Sequence, residues 1–511
     1  MKETTNSYII EIENKEYGGF KMIRTLNKEK VIKILTEEEY EYMNAFNIIP
    51  NLSDKVLDYA EKNYEIIEMT SQYLEEKRKQ NTNLSIPLFV LAGVQARMKR
   101  LFAISELPLA ITSQEIIEKL GINIEYHLEE SLLKESNIRA FLGRYKQEKD
   151  KPLEFQNEFI KSFNQINKEL LKKAKLTSDI HVLDCTICDV NFNNENYEGS
   201  TITYKGGEKL RGYKLGVLRG FGPNSGFIEE IVMNTAKPHD LKMSKDMILK
   251  SEYLKPGDDL IEDRGFLDIK MIRKLFKKGV NVTIPAKKNM EIHTAAVTEA
   301  VSKNEWKKHP NTKRKGQDIT LVSNLEMFWL DEKDKEKKPE NIHLEYSMHA
   351  AVIRFEKKLN QSILTDAEIL KEDEKYAYAV ILTTHPTRSA EEIIKLYELR
   401  PEIEEDFRQL KDFWGLTEYR STQYHIISFV IMVSLLGYNL YQLYKESEEG
   451  KDYIGKSFIV EQRHGLYVVK NVRTAIIIDN YFAIFWQDEL LDLYVELSKE
   501  NRERLKQLLI L

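Results

Sequence analysis

Apolar side chains recur at three- and four-residue intervals through most of the first 175 residues, the spacing that gathers them on one face of a helix, and the stretches 52–77 and 87–101 follow it most closely. Thr112-Ser113-Gln114-Glu115 opens a short helix over 115–120 and Gly121 stops it; a second short helix over 137–145 carries Arg139 and Arg144, with Lys146 just beyond. The pair fits either a helix-turn-helix variant or a plain helical bundle, because the connection is longer than the usual turn. From residue 180 the pattern changes to short apolar runs bounded by turn residues, which predicts strands over 181–190, 200–204, 213–218, 227–233 and 260–261, and another over 376–384. Helical periodicity returns over 269–278 and 389–414, so the middle of the chain is expected to form a mixed α/β fold, a sheet flanked by helices. The stretch 288–360 is rich in Lys, Glu and Asn, with strand-like segments at 319–323, 327–330 and 350–355, and has the look of an insertion. No internal repeat is present, and beyond residue 436 the segments read as amphipathic helices. The expected division is a helical N-terminal domain (1–175), a central domain in two parts (176–287 and 371–445), a β-rich insertion between them (288–370) and a helical C-terminal region (446–511).

With 511 residues the chain exceeds what one hydrophobic core usually serves. Its 42% hydrophobic and 31% charged residues are those of a globular protein with ample core material. No apolar run approaches the roughly 18 residues of a membrane span, the most apolar stretch being 426–436, and the polar, acidic first 14 residues are unlike a secretion signal. The expectation is a cytoplasmic protein with no membrane partner. A net charge of −6 argues against a chain that coats nucleic acid over its whole surface. Basic clusters at 77–79, 97–100, 172–175, 205–214, 273–278 and 307–315 are either solvated faces or, taken together, the lining of a groove. The only two cysteines, Cys185 and Cys188, have no second pair of ligands in sequence, so they read as buried strand residues rather than as a zinc or redox site.

The most informative segment is 396–411. At 100° per residue, Leu396, Leu399, Ile403, Phe407, Leu410 and Trp414 form an apolar stripe, and Tyr397, Arg400, Glu404, Arg408 and Lys411 an adjacent polar one. Ser389 and Glu392 make a capping box at the start, and Pro401 is compatible with a kink or with the first turn of a second helix. Alone, such a stripe is a solvated face with ion pairs of the Arg400–Glu404 kind. Two aspartates change that reading. Asp184 lies within the apolar run 181–187, where an unpaired carboxylate would be costly, and Asp263 closes a strand just before Arg264-Gly265-Phe266.

Tyr397, Arg400, Glu404 and Lys411 meet the pattern Tyr-x2-Arg-x3-Glu-x6-Lys in full, and from about residue 180 to 440 the chain resembles DDE transposases of the insertion sequence four type. Asp184-Cys185-Thr186 is similar to their Asp-Ser-Thr strand and Asp263-Arg264-Gly265-Phe266 to their second motif; Pro401 departs from the Trp often found there. The resemblance implies a ribonuclease H-like catalytic domain and an Asp184, Asp263 and Glu404 triad. The triad would hold two Mg²⁺ ions, Mn²⁺ being a possible substitute, Asp184 bridging both. It further implies double-stranded DNA partners, namely the element's terminal inverted repeats and the target, with cleavage followed by strand transfer and a homodimer that brings two ends together. Tyr397, Arg400, Lys411, Arg264 and Arg408 are then expected to hold phosphates, Trp329 and Trp306 are candidates for stacking on a displaced base, and the N-terminal domain becomes a candidate for DNA binding. The rival readings are a nuclease of the same fold that never joins ends, a regulator descended from a transposase that has lost catalysis, and a zinc protein. The three intact acids speak against the regulator.

Overall fold

The apolar runs between residues 180 and 383 pair into one ten-stranded sheet in the computed structural model of the chain. The structure describes residues 25–47, 52–74, 84–111, 113–121, 133–148, 150–326, 347–356, 376–454, 460–463, 466–469 and 473–509. They fall into two units, one of residues 56–458 and one formed by the two chain ends.

In the large unit the strand Ile180–Val190 is central. It pairs antiparallel with Glu208–Phe221, Asp184 opposite Val217, and parallel with Asp259–Glu262, Leu183 opposite Glu262. Asp259–Glu262 in turn runs parallel to Asn281–Pro285. Beyond it the sheet continues antiparallel through Tyr376–Thr383, Met348–Glu356, Gln317–Leu325 and the short Lys307–Lys308. On the other side Glu208–Phe221 pairs with both Thr201–Lys205 and Gly226–Thr235. Strand alternation then sorts the core. Val352 and Leu382 face one layer with Ile272, Leu275 and Ala296 of the helices Ile269–Lys277 and Glu291–Lys303. Ala351 and Ile381 face the other, against Ile393 and Ile394 of the helix Ala390–Tyr397.

The described strands within the expected insertion over 288–370 extend this same sheet rather than form a separate one, because their apolar alternation continues the two faces already formed. The segment 327–330 and Trp329 lie outside the described residues.

The edge strand Gly226–Thr235 illustrates how exposed backbone is closed off. Asn439 Nδ2 donates to Ile228 O (2.7 Å) and Asn439 Oδ1 accepts from Ile228 N (3.0 Å). Asn164 does the same at Ile231, and Gln156 donates to Met233 O. Side-chain amides of the helices Glu158–Lys173 and Tyr424–Glu446, and of the loop before them, thus stand where a further strand would. Among the described residues Tyr424–Glu446 is the one helix long and apolar enough to cross a membrane, longer than the apolar stretch 426–436 suggests, but it is packed inside this unit. Gly93 of the buried helix Ile86–Met98 lets the two approach, since a Cβ there would stand 2.9 Å from Phe429.

The expected N-terminal domain over 1–175 is therefore divided. Helices from residue 56 onward belong with the sheet; Glu135–Gly143, the second of the short helices, stacks Phe141 on Phe89 with centroids 4.4 Å apart. The connection between the short helices lies outside the described residues, as does the basic cluster 77–79. The small unit is a four-stranded sheet ordered Thr25–Leu26, Tyr481–Trp486, Arg473–Ile478, Met43–Asn47, packed with the helices Lys28–Glu37, Gln487–Glu496 and Lys499–Leu509. The region 446–511 is thus not all helical. Arg473–Ile478 and Tyr481–Trp486 form a hairpin through Asp479-Asn480, Asp479 taking φ 48°.

One buried cluster fixes the start of the central strand. His181 lies between two carboxylates, with Nδ1 2.7 Å from Glu229 Oε2 and Nε2 3.3 Å from Asp258 Oδ2, a setting that favours the imidazolium. Burial lowers its proton affinity, but the two carboxylates outweigh that and push it up to about 9. A histidine raised in the folded state contributes stability that is complete below its unfolded pKa of about 6.5 and lost as pH rises through about 9. We predict that the thermal midpoint of the wild type falls between pH 7 and pH 10, and that His181→Leu lowers stability at pH 7 by about 3 kcal/mol and flattens this dependence. Parallel wild-type and variant pH curves would contradict the assignment.

Candidate active site

Asp184 sits in the middle of the strand Ile180–Val190 with its side chain only 13% exposed. Its Oδ1 accepts from Cys185 N (2.7 Å), and its Oδ2 accepts from Arg400 Nη2 (2.8 Å). Asp263 directly follows Asp259–Glu262, where the chain leaves the sheet for the short turn Arg264–Phe266. Since Leu183 is in register with Glu262, the next residues on these parallel strands, Asp184 and Asp263, stand side by side at the carboxyl end of the sheet. A fourth carboxylate reaches the same edge: a Cβ built on Gly265 would lie 3.9 Å from both Asp240 Oδ2 and Asp263 Oδ2.

The third acid arrives on a helix. Ser389 and Glu392 form their capping box, the first helix ends at Tyr397, and Pro401 takes the first position of a second, Pro401–Asp412, so Pro401 starts a helix rather than kinking one. Ile403, Phe407 and Leu410 of the apolar stripe are buried, as is Trp414 just beyond. Arg400 keeps helical dihedrals in the intervening turn (φ −55°, ψ −41°), so Arg400 and Glu404 remain one turn apart, Nη1 donating to Glu404 Oε1 at 2.7 Å. The guanidinium of Arg400 thereby bridges Asp184 and Glu404.

The second helix is held by buried charge. Arg219 Nε donates to Asp406 Oδ2 and Nη2 to Glu402 Oε2 (2.9 Å), and Tyr438 OH donates to Asp406 Oδ1 (2.7 Å). Arg219 also lies 4.1 Å from the Phe221 ring. At the far end Lys411 Nζ donates to Ile187 O (2.7 Å), on the strand of Asp184. Glu404 projects between these anchors with its side chain 57% exposed.

The electrostatics follow from the crowding. Burial, against the pull of Arg400 and the Cys185 N–H and with help from Asp263 and Glu404, pushes the Asp184 carboxyl up to about 6. Burial likewise pushes the Tyr397 phenol up to about 12, Arg400 opposing and the three acids adding. Among the described residues no three His, Cys, Asp or Glu side chains already converge as metal ligands; Arg400 stands between two of the candidates instead.

The remaining candidates are dispersed. Tyr397 and Arg264 line a cavity of about 420 Å³ with Lys288, His293, Arg314 and Tyr378. Arg408 pairs with Glu405 and Asp412 on its own helix. Trp306 is partly buried, with the Arg354 guanidinium 4.3 Å from its ring. Cys185 and Cys188 are free and three residues apart on one strand, hence on opposite faces, and burial pushes both thiols up. Sequence reasoning did not single out Arg219, Asp406, Tyr438, His181, or the Lys214–Asp240 pair (2.6 Å). The available signal was a charged residue inside a predicted apolar strand or beside an apolar helical stripe, which demands a partner.

Removing one member of the Arg219–Asp406 pair leaves a buried charge, so Arg219→Met or Asp406→Leu is expected to destabilise by about 3–5 kcal/mol in urea unfolding, with the double variant recovering most of the loss. Strictly additive losses would show that the two do not act as a pair.

A comparison with curated proteins gives no match. The sequence model described as a transposase DDE domain, however, matches residues 179–440, which span Asp184, Asp263, Glu404 and every strand of the large sheet, so this chain belongs to the DDE transposase family.

Proposed function

We propose that the chain is an active transposase of the insertion sequence four type, with Asp184, Asp263 and Glu404 as the acids that hold two divalent cations, and that it cuts the ends of a mobile element and joins them to target DNA. The observation that carries this reading is the convergence of three segments far apart in sequence: two aspartates at the same level of adjacent parallel strands, and a glutamate tied to the first through Arg400. The strand order supports a ribonuclease H-like core. Three antiparallel strands, Gly226–Thr235, Glu208–Phe221 and Ile180–Val190, are followed by two strands parallel to the last, Asp259–Glu262 and Asn281–Pro285.

The donor set fits Mg²⁺ or Mn²⁺, since all three side chains offer oxygen and their crowded negative charge calls for a cation. Divalent cations bound there supply an activated water and neutralise the leaving oxygen of a phosphodiester. The chain's own residues position the DNA. Arg400 offers a planar fork to a phosphate beside the cut, and Tyr397 and Arg264 meet the strand at the mouth of their shared cavity. Lys411, already on the Ile187 carbonyl, holds the helix to the strand of Asp184 and adds a point charge. Arg408, exposed on the same helix, would meet the backbone farther out. A dimer that pairs two element ends, acting in the cytoplasm, completes the reading.

The test is cleavage of duplex DNA carrying the element's ends, with Mg²⁺ and with EDTA, followed by a strand-transfer assay. Wild type is expected to cut and join only with Mg²⁺, while Asp184→Asn and Glu404→Gln bind the DNA and leave it intact. Cutting by either variant at the wild-type rate would remove the acid assignment, and cutting without joining would make the protein a nuclease.

A further inference from the structure

Arg400 occupies a singular place among the cations around the site. Its two terminal nitrogens reach Asp184 Oδ2 at 2.8 Å and Glu404 Oε1 at 2.7 Å, so its charge stands between two carboxylates that lie on different elements. Its third nitrogen, Nε, is buried without a hydrogen-bond partner in the protein, an unused donor in a side chain that is otherwise well paired. The residue belongs to the turn between two helices rather than to either helix. A guanidinium cannot lose its proton and presents the same fork to a phosphate as to a carboxylate. Asp184 and Glu404 are therefore offered one cation by the chain and another by solution, and Arg400 is offered one anion by the chain and another by DNA.

We propose that Arg400 is a displaceable counter-cation: it bridges Asp184 and Glu404 in the DNA-free protein and is drawn off by a DNA phosphate, so that the binding of divalent metal and of DNA is coupled through this one side chain. The inference rests on the functional reading above. Because coupling free energies are reciprocal, a phosphate that takes Arg400 raises metal affinity, and metal that takes the carboxylates raises DNA affinity by the same factor.

The experiment titrates Mn²⁺ into the full chain, following the free ion by electron paramagnetic resonance, with and without a short DNA duplex whose own Mn²⁺ uptake is subtracted. Wild type is expected to bind Mn²⁺ about tenfold more tightly with the duplex, within the usual range of coupling between sites. Arg400→Gln is expected to bind about tenfold more tightly without DNA and to gain little from it. Arg400→Lys, which keeps a charge but lacks the fork, takes an intermediate value, and Lys395→Gln, an exposed charge on the preceding helix, behaves as wild type. An Arg400→Gln protein that binds Mn²⁺ no more tightly than wild type, or that keeps the full DNA enhancement, overturns the exchange. An Asp184→Asn arm separates the two ideas: if it binds Mn²⁺ as well as wild type, the acid assignment fails and the exchange with it. If binding depends on Asp184 while Arg400→Gln changes nothing, the exchange alone is wrong.

Discussion

Asp184, Asp263 and Glu404 carry like charge at one edge of the sheet, and Arg400 places a positive charge between two of them. At an effective dielectric of about 20, two like charges ~4 Å apart oppose each other by about 4 kcal/mol, a large fraction of a domain's net stability. In this chain the nearest compensation is Arg400, which reaches two of the three acids at once. Burial works against it: even with the guanidinium in place, burial raises the proton affinity of Asp184 to about 6. The arginine that offsets the charge of these acids also has the planar fork that suits a phosphate.

The acids are placed by pairs of anchors on either side of them. On the central strand, His181 is fixed to Glu229 and Asp258, and three residues past Asp184 the carbonyl of Ile187 accepts from Lys411. On the helix, Glu402 and Asp406 bracket Glu404 and both bind Arg219. Arg219 and Asp406 are buried beneath the helix while Glu402 and Glu404 stay half exposed, so the helix is clamped without covering Glu404. Buried ion pairs of this kind add little net stability over apolar packing, because desolvation offsets most of the attraction. Their use here is directional: an apolar contact would let the helix rotate or slide, whereas a guanidinium bonded to two carboxylates on successive turns admits one register.

What was legible in the sequence is what is local. The period of 3.6 residues revealed the stripe from Leu396 to Trp414, the Ser389–Glu392 box marked the helix start, and the apolar runs marked most strands of the central sheet. The motif residues were visible because each motif is local: a strand, a strand end and a run of helical backbone. What was hidden depends on partners remote in the chain. Gln317–Leu325 and Met348–Glu356 read as strands, but nothing local says that they continue the sheet of Asp184 through Tyr376–Thr383. Met43–Asn47 pairs with Arg473–Ile478 across almost the whole chain, so neither stretch announces the other, and the hairpin of the last two strands was read as helix. Arg219 and Asp406 were not singled out, because their pairing depends on the fold.

The break at Pro401 shows why the motif spacing survives in a structure that is not one helix. Tyr397 ends the first helix, which packs through Ile393 and Ile394 on Ile319, Ala351 and Ile381 of the added strands. Glu404 and Lys411 belong to the second, clamped to Glu208–Phe221 and to the strand of Asp184. Proline at a first helical position forfeits no hydrogen bond, and Arg400 before it keeps helical dihedrals, so the one-turn separation between Arg400 and Glu404 is retained while the two helices answer to different parts of the sheet. Arg400 therefore stands at the junction between the helix packed on Ile319, Ala351 and Ile381 and the helix tied to the strand of Asp184.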